Sequence, residues 1–257
     1  MKILFIGDIV GRSGRECVFR HIDDIKAKYD IDFTIANGEN SSGGLGMSHR
    51  SYEELRCAGI DYFTMGNHTF SKSEIKSLLD MDENIVIPAN LEEKSVAPYA
   101  IIRTRSGKRI GLLNLLGQVY MDMSLDNPFL VADKIVEEMR KITPIIIVDF
   151  HAEATSEKKA LGFYLDGRVS AVLGTHTHVQ TSDARVLPNK TAYITDVGMT
   201  GPIDSVLGLS SDIAIKRFLT GEKVRYKVSV GESSFSAVVI DIDEDTGLAR
   251  DIITLNI

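Results

Sequence analysis

The chain has 257 residues, 44 % of them hydrophobic and 25 % charged, the composition of a globular protein with a substantial core and not of a disordered or fibrous one. A net charge of −7 excludes a protein that coats long nucleic acid by neutralising phosphates, though not one that holds a small nucleotide at a bound cation. Two cysteines, Cys17 and Cys57, are too few for a disulfide framework and lack a metal-pair spacing; both fall in expected amphipathic helices and read as small buried hydrophobes.

The opening MKILFIGDIVGRSG is too short an apolar run for a membrane span and has no signal-cleavage pattern, so it reads as a first strand. A cytoplasmic protein with no membrane partner is expected. Short apolar runs then alternate with amphipathic helices. The runs are Ile3–Ile6, Phe33–Ala36, Tyr62–Met65, Ile85–Ile87, Ile110–Leu116, Ile145–Phe150, Ala171–Leu173 and Ala192–Thr195. Their length and β-branched content suit strands buried on both faces.

Ser13-x-x-Glu16, Ser51-x-x-Glu54 and Ser71-x-x-Glu74 each match a capping box and predict helix starts. Val18, Ile22, Ile25 and Tyr29 share one helical stripe, as do Ala132, Ile135, Val136 and Met139. Ile213 and Phe218 fall in a further helix after Ser211. Ser106-Gly107-Lys108 between Tyr99–Arg105 and Arg109–Leu116 predicts a hairpin, and Val224–Val230, Phe235–Ile242 and Leu248–Leu255 a terminal antiparallel group. No repeat or linker interrupts the chain, so a single domain over 1–257 is expected. The class is α/β, with two packed mixed sheets covered by helices.

Five of the apolar runs stop at a possible metal ligand. They lead into Gly7-Asp8, Gly38-Glu39-Asn40, Gly66-Asn67-His68, His151 and Gly174-Thr175-His176-Thr177-His178. In α/β folds the carboxyl ends of strands form the crevice in which ligands bind. Imidazole suits iron, manganese or zinc, and carboxylate and amide oxygens suit harder ions. Two cations a few Å apart need an anionic bridge, which Asp8 or Glu39 could supply. His176 and His178, at i and i+2, would project to the same side of an extended segment. A glycine before a cluster lets the backbone turn without a Cβ in the way. Arg12 and Arg15 flank the first helix start and are candidates to touch phosphate. His21 and His49 match no strand end and read as a helix-face and a loop histidine.

These motifs resemble the calcineurin-like metallophosphoesterase superfamily, whose pattern is D-x-H, GD-x-x-D, GNH-[DE], a lone His and G-H-x-H. Val10 stands where that pattern has its first histidine, Gly38-Glu39-Asn40 replaces GD-x-x-D, and Thr69 replaces the acidic residue after GNH. With GDIVGRSGR, NGENSSGGLGM, GNHTF, DFHAEATSEKKALG, GTHTHVQT and TDVGMTGPIDSVLG, the chain is similar along nearly its whole length to the YmdB-type bacterial phosphodiesterases. The resemblance implies a four-layer αββα sandwich and hydrolysis of 2′,3′- or 3′,5′-cyclic nucleotides at two metal ions, iron first and manganese or zinc otherwise. It implies one metal at Asp8, Glu39, Asn40 and His178, and a second at Glu39, Asn67, His151 and His176. His68 would be the proton donor. Ser71 stands where the branch often has an acidic residue, so a backbone carbonyl or a distant residue is expected to orient His68.

Two bound metals lower the pKa of a bridging water, which then attacks phosphorus, and clamp the entering and leaving oxygens. The expected partner is a small nucleotide, with no extended nucleic acid and with a homo-oligomer open. Rival readings are a metal-dependent nucleotide sensor with little turnover and a 5′-nucleotidase-like phosphomonoesterase.

Overall fold

A computed structural model describes residues 1–81, 84–91, 96–222, 225 and 227–257. In chain order the first half contains β1 (Lys2–Ile6), β2 (Asp8–Ile9), α1 (Gly11–Tyr29), β3 (Phe33–Asn37), α2 (His49–Cys57), β4 (Tyr62–Thr64), α3 (Glu74–Asp80), β5 (Ile85–Val86), β6 (Ala100–Arg103) and β7 (Arg109–Leu116). The second half contains α4 (Pro128–Arg140), β8 (Ile146–His151), α5 (Thr155–Tyr164), β9 (Ala171–Thr175), β10 (Arg185–Val186), β11 (Ala192–Ile194), β12 (Met199–Pro202), α6 (Ser211–Thr220), β13 (Ser233–Ser234), β14 (Ser236–Ile242) and β15 (Ala249–Asn256).

Two six-stranded mixed sheets form the centre. One runs β15-β14-β1-β3-β4-β5, with β1, β3, β4 and β5 parallel; the other runs β10-β11-β9-β8-β7-β6, with β7, β8, β9 and β11 parallel. Successive side chains of a strand point to opposite faces. Ile3 and Phe5 therefore pack between the sheets with Leu112, Ile147 and Leu173, while Leu4 and Ile6 pack outward under α1. Helices α1, α2 and α3 cover the first sheet through Val18, Ile22, Leu55 and Ile75; α4 and α5 cover the second through Ala132, Val136, Met139 and Leu161. The result is the αββα sandwich that the resemblance implies. A small sheet, β13-β12-β2, sits beside these layers and carries Asp8.

Several local expectations are corrected. Helix α1 begins at Gly11 with Val10 at its cap position and no side-chain cap, so Ser13 lies inside the helix. Ser51 is the third residue of a box closed by Ser48, and Ser71 ends a 3₁₀ turn over Thr69–Ser71. In both places the serine–glutamate spacing matched by chance, because the cap is fixed by where the chain enters the helix. His49 opens α2 and is not in a loop. Cys17 is buried as expected, but Cys57 is exposed. Of the expected strand at Val224–Val230, positions 224 and 226 lie outside the described residues, and Val228 makes only an isolated bridge to Leu209. Phe218 lies in α6 but is exposed, and Ala214 is the helix's buried residue. No helix of the described residues is long and apolar enough to cross a membrane.

Candidate metal centre

The parallel strands of both sheets end at one edge of the sandwich, and the polar residues that follow them meet there. Asp8 comes with β2, Glu39 and Asn40 follow β3, and Asn67 and His68 follow β4. His151 is the last residue of β8, while His176 and His178 follow β9. Asp8, Glu39, Asn40 and His151 are buried, at 0, 1, 3 and 0 % exposure. Glu39 and Asn40 line a cavity of about 240 Å³ together with His68, Glu153, His176, Thr177, His178 and Leu207.

Two subclusters share Glu39. On one side, His151 Nε2 lies 3.1 Å from Glu39 Oε1, 3.0 Å from Asn67 Oδ1 and 3.1 Å from His176 Nδ1. Glu39, His151 and His176 each offer one donor atom, and these all lie within 4.8 Å of one another. On the other side, the Asn40 amide nitrogen lies 3.2 Å from Glu39 Oε1, 3.4 Å from Asp8 Oδ1 and 3.2 Å from His178 Nε2. Turned over, the same amide would bring its oxygen into that group.

The hydrogen bonds behind the rings decide which nitrogen each histidine presents. Thr175 Oγ1 donates to Asp149 Oδ1 at 2.7 Å, so toward His151 Nδ1, 2.9 Å away, it can only accept. His178 Nδ1 donates to the Leu207 carbonyl at 3.1 Å, and His176 Nε2 faces the Glu153 carboxylate at 3.1 Å. Each of the three rings therefore spends one N–H on an acceptor behind it and turns its other nitrogen to the cluster. That is how histidines are held when they ligate metals.

Charge in the cluster follows from its burial. Burial would raise the Asp8 carboxyl, but His178 and His151 beside it hold it below the usual carboxylate range. Glu39, against the same opposition from burial, is lowered chiefly by His151. Burial resists charging of His151, yet Glu39 and then Asp8 raise it to about 9. His176 is pushed down to about 3 by burial and by the neighbouring His151. Asp149, beneath the site, is raised by burial to about 6. Two buried carboxylates, Asp8 and Glu39, thus lie in the cluster, and no lysine or arginine lines the adjoining cavity among the described residues. This donor set suits divalent cations.

The glycine before a cluster acts here by close approach. A Cβ on Gly66 would stand 2.3 Å from Glu39 Oε2 and 2.5 Å from His151 Nε2, inside the cluster itself. The segment carrying His176 and His178 is not extended, since their φ angles are 102° and 62°. Both rings still reach the cluster, from left-handed backbone. Val10 is buried, and its amide binds the Thr200 carbonyl.

His68 lines the cavity and is partly exposed. Its Nδ1 lies 3.4 Å from Ser71 Oγ and its Nε2 3.4 Å from the Asn67 amide nitrogen. Among the described residues its Nδ1 thus meets a hydroxyl three residues on, and not the backbone carbonyl or distant residue expected, because the 3₁₀ turn brings position 71 back over position 68. The arginines do not reach the cavity. Arg12 is exposed and pairs with Glu16 at 2.7 Å, and Arg15 pairs with Glu54 at 2.6 Å and donates to the Ser41 carbonyl at 2.5 Å. Sequence reasoning assigns no role to Glu153, Thr175, Thr177 or Asp149. Asp149 carries a signal, as a carboxylate in the middle of an apolar run; Glu153 carries none.

Comparison with known proteins gives a consistent picture. The family model described as "YmdB-like protein" matches residues 4–255. The 2′,3′-cyclic-nucleotide 2′-phosphodiesterase of Bacillus subtilis is 51 % identical over 246 residues, covering 96 % of this chain and 93 % of that protein. A crystal structure of a hypothetical protein from Thermus thermophilus aligns with a TM-score of 0.93 at 40 % identity, covering 100 % of this chain and 99 % of the other. A crystal structure described as a novel phosphatase from Mycoplasma pneumoniae aligns with a TM-score of 0.92 at 34 % identity, covering 100 % and 93 %.

Proposed function

Given that the chain belongs to the YmdB-like family, we propose that it hydrolyses 2′,3′-cyclic nucleotides at a centre of two metal ions. The observation that carries this reading is the set of three histidines whose outer nitrogens are tied to Thr175, Leu207 and Glu153, so that their inner nitrogens face two buried carboxylates. Asp8, Glu39, Asn40 and His178 would hold one ion and Glu39, Asn67, His151 and His176 the other, with Glu39 shared. Bound there, the ions would supply an acidified water and positive charge for the phosphoryl oxygens.

The chain's own groups do the rest. An anionic phosphodiester entering this cavity meets Glu39 and Glu153 and no lysine or arginine among the described lining residues, so its charge has to be balanced at the ligand cluster. Asn67 has its oxygen toward His151 and its nitrogen toward His68, which places the His68 ring beside the cluster without making it a ligand. His68, whose Nδ1 lies 3.4 Å from Ser71 Oγ, would deliver a proton to the departing ribose oxygen. The O2′–P bond breaks as a water oxygen joins phosphorus, leaving a 2′-hydroxyl and a 3′-phosphate. The B. subtilis relative, named for that reaction, supports the choice of isomer.

Turnover of a 2′,3′-cyclic nucleotide, a 3′,5′-cyclic nucleotide and a nucleoside monophosphate by metal-loaded protein tests the proposal. Hydrolysis of the first to the 3′-phosphate is expected, lost on chelation and restored by metal. Preference for the monophosphate would make the chain a phosphomonoesterase, and tight binding without turnover a sensor.

A further inference from the structure

His176 and His178 are two residues with side chains in left-handed backbone, on either side of Thr177. Such conformations are sparsely populated and persist only where the surroundings over-determine them. Here the surroundings are an ion pair sealed from solvent. Lys158 of α5 and Asp196, between β11 and β12, are 1 and 0 % exposed, with Lys158 Nζ 2.7 Å from Asp196 Oδ2. The same oxygen accepts both the Thr177 amide at 2.9 Å and the Thr177 hydroxyl at 2.7 Å, while Asp196 Oδ1 accepts the Gly198 amide at 2.8 Å. Lys158 also donates to the Thr175 carbonyl at 2.7 Å. The pair therefore grips the chain just before His176 and again between the two histidines.

Gly174 makes room for this arrangement. A Cβ there would stand 1.7 Å from the Thr195 carbonyl oxygen and 3.1 Å from Lys158 Cδ, so any side chain would part the strands and block the lysine stem. In Gly174-Thr175-His176-Thr177-His178 the roles alternate: Thr175 anchors His151 and Asp149, Thr177 anchors Asp196, and the histidines face the cluster. A buried ion pair is a weak source of stability, because well-packed apolar replacements are often as stable. What this one supplies is direction at Thr177.

We propose that the Lys158–Asp196 pair, acting through Thr177, is the positioning device that holds His176 and His178 in ligand geometry, an inference that rests on the metal centre proposed above. Because His176 is assigned to one ion and His178 to the other, releasing Thr177 weakens both ions together, whereas replacing either histidine acts first on its own.

The test compares Thr177→Val, which keeps the amide bond and the ion pair but loses the hydroxyl, with Thr177→Ser, which keeps the hydroxyl. Mn²⁺ binding is titrated against a chromogenic chelator, and the melting temperature of the chelated protein is measured alongside. Thr177→Val is expected to weaken both Mn²⁺ equivalents by about 10- to 100-fold, the usual range for partners behind metal ligands. Its metal-free melting temperature should stay near the wild-type value, and Thr177→Ser should bind as wild type does. Lys158→Met should act in the same direction; if it does not fold, the two Thr177 variants still decide. Wild-type Mn²⁺ affinity in Thr177→Val, equal loss in both Thr177 variants, or loss of one equivalent alone would overturn the inference. A drop in metal-free melting temperature with Mn²⁺ affinity intact would make the pair purely structural. Failure of the wild type to bind any Mn²⁺ would instead overturn the centre itself, a distinct result.

Discussion

Glu39 accepts the backbone N–H of His68 through Oε2 at 2.8 Å, while its Oε1 lies 3.1 Å from His151 Nε2. The carboxylate proposed to bridge two ions is thus tied by the main chain to the residue proposed as acid. A shift in the GNH turn would move both at once, which would keep the proposed acid in register with a phosphoryl group held at the proposed centre.

His68→Ala separates chemistry from assembly. The ring is no ligand in this account, so metal content should be unchanged while kcat falls by the 10²- to 10⁴-fold typical of a lost general acid. The fall should be largest for a ribose leaving group and much smaller for a nitrophenolate, which departs with little need of a proton. Equal losses on both substrates would assign His68 to phosphate binding.

Ser71→Ala tests what orients that ring. The 3.4 Å contact is a weak, neutral hydrogen bond, worth about 0.5–1.5 kcal/mol at most, or about 2- to 10-fold in rate. The loss should appear in kcat on the ribose substrate with KM nearly constant. A Ser71→Asp variant, which sets a carboxylate beside the ring, should raise the pH at which activity declines. No response of the pH profile to either change would remove Ser71 from the mechanism.

Gly66→Ala should fold and fail to load. The added methyl would stand 2.3 Å from Glu39 Oε2, in the space the ligands need, at an overpacking cost of about 1–3 kcal/mol. Metal analysis should find less than the wild-type content in a protein that still melts cooperatively. Full loading would mean that the turn can move aside and that the glycine serves some other end.

The strand ends and the residues that follow them are legible in the sequence because buried parallel strands are apolar runs, and Asp8, Glu39, Asn67, His151 and His176 interrupt that pattern abruptly. The two-sheet sandwich is legible for the same reason. What is not legible depends on the path of the chain between elements. The left-handed backbone at His176 and His178, the 3₁₀ turn returning Ser71 to His68, and Glu153 behind His176 leave no period in the sequence. Nor does any period in the sequence pair Lys158 with Asp196, 38 positions along the chain, with which it is buried.

Metal removal should expose a pH dependence that loading hides. In the metal-free chain His151 is raised from its ordinary value of 6.5 to about 9, burial opposing and Glu39 and Asp8 outweighing it, and His178 is raised as well. A group whose folded pKa exceeds its unfolded one contributes stability below the unfolded value and loses it as pH rises through the folded value. The chelated protein should therefore melt at falling temperatures between about pH 6.5 and 9, while the loaded protein, whose His151 is neutral as a ligand, changes little over that window. A flat profile in the chelated protein would mean that His151 carries no extra proton there.

Metal stoichiometry in Glu39→Ala bears most directly on the central claim. Wild-type protein saturated with Mn²⁺ and freed of excess should hold two equivalents per chain, coupled magnetically as ions about 3.5–4 Å apart would be. Glu39→Ala should hold neither tightly, because both sites share that carboxylate. One equivalent in the wild type, or two retained in Glu39→Ala, would contradict a centre bridged by Glu39.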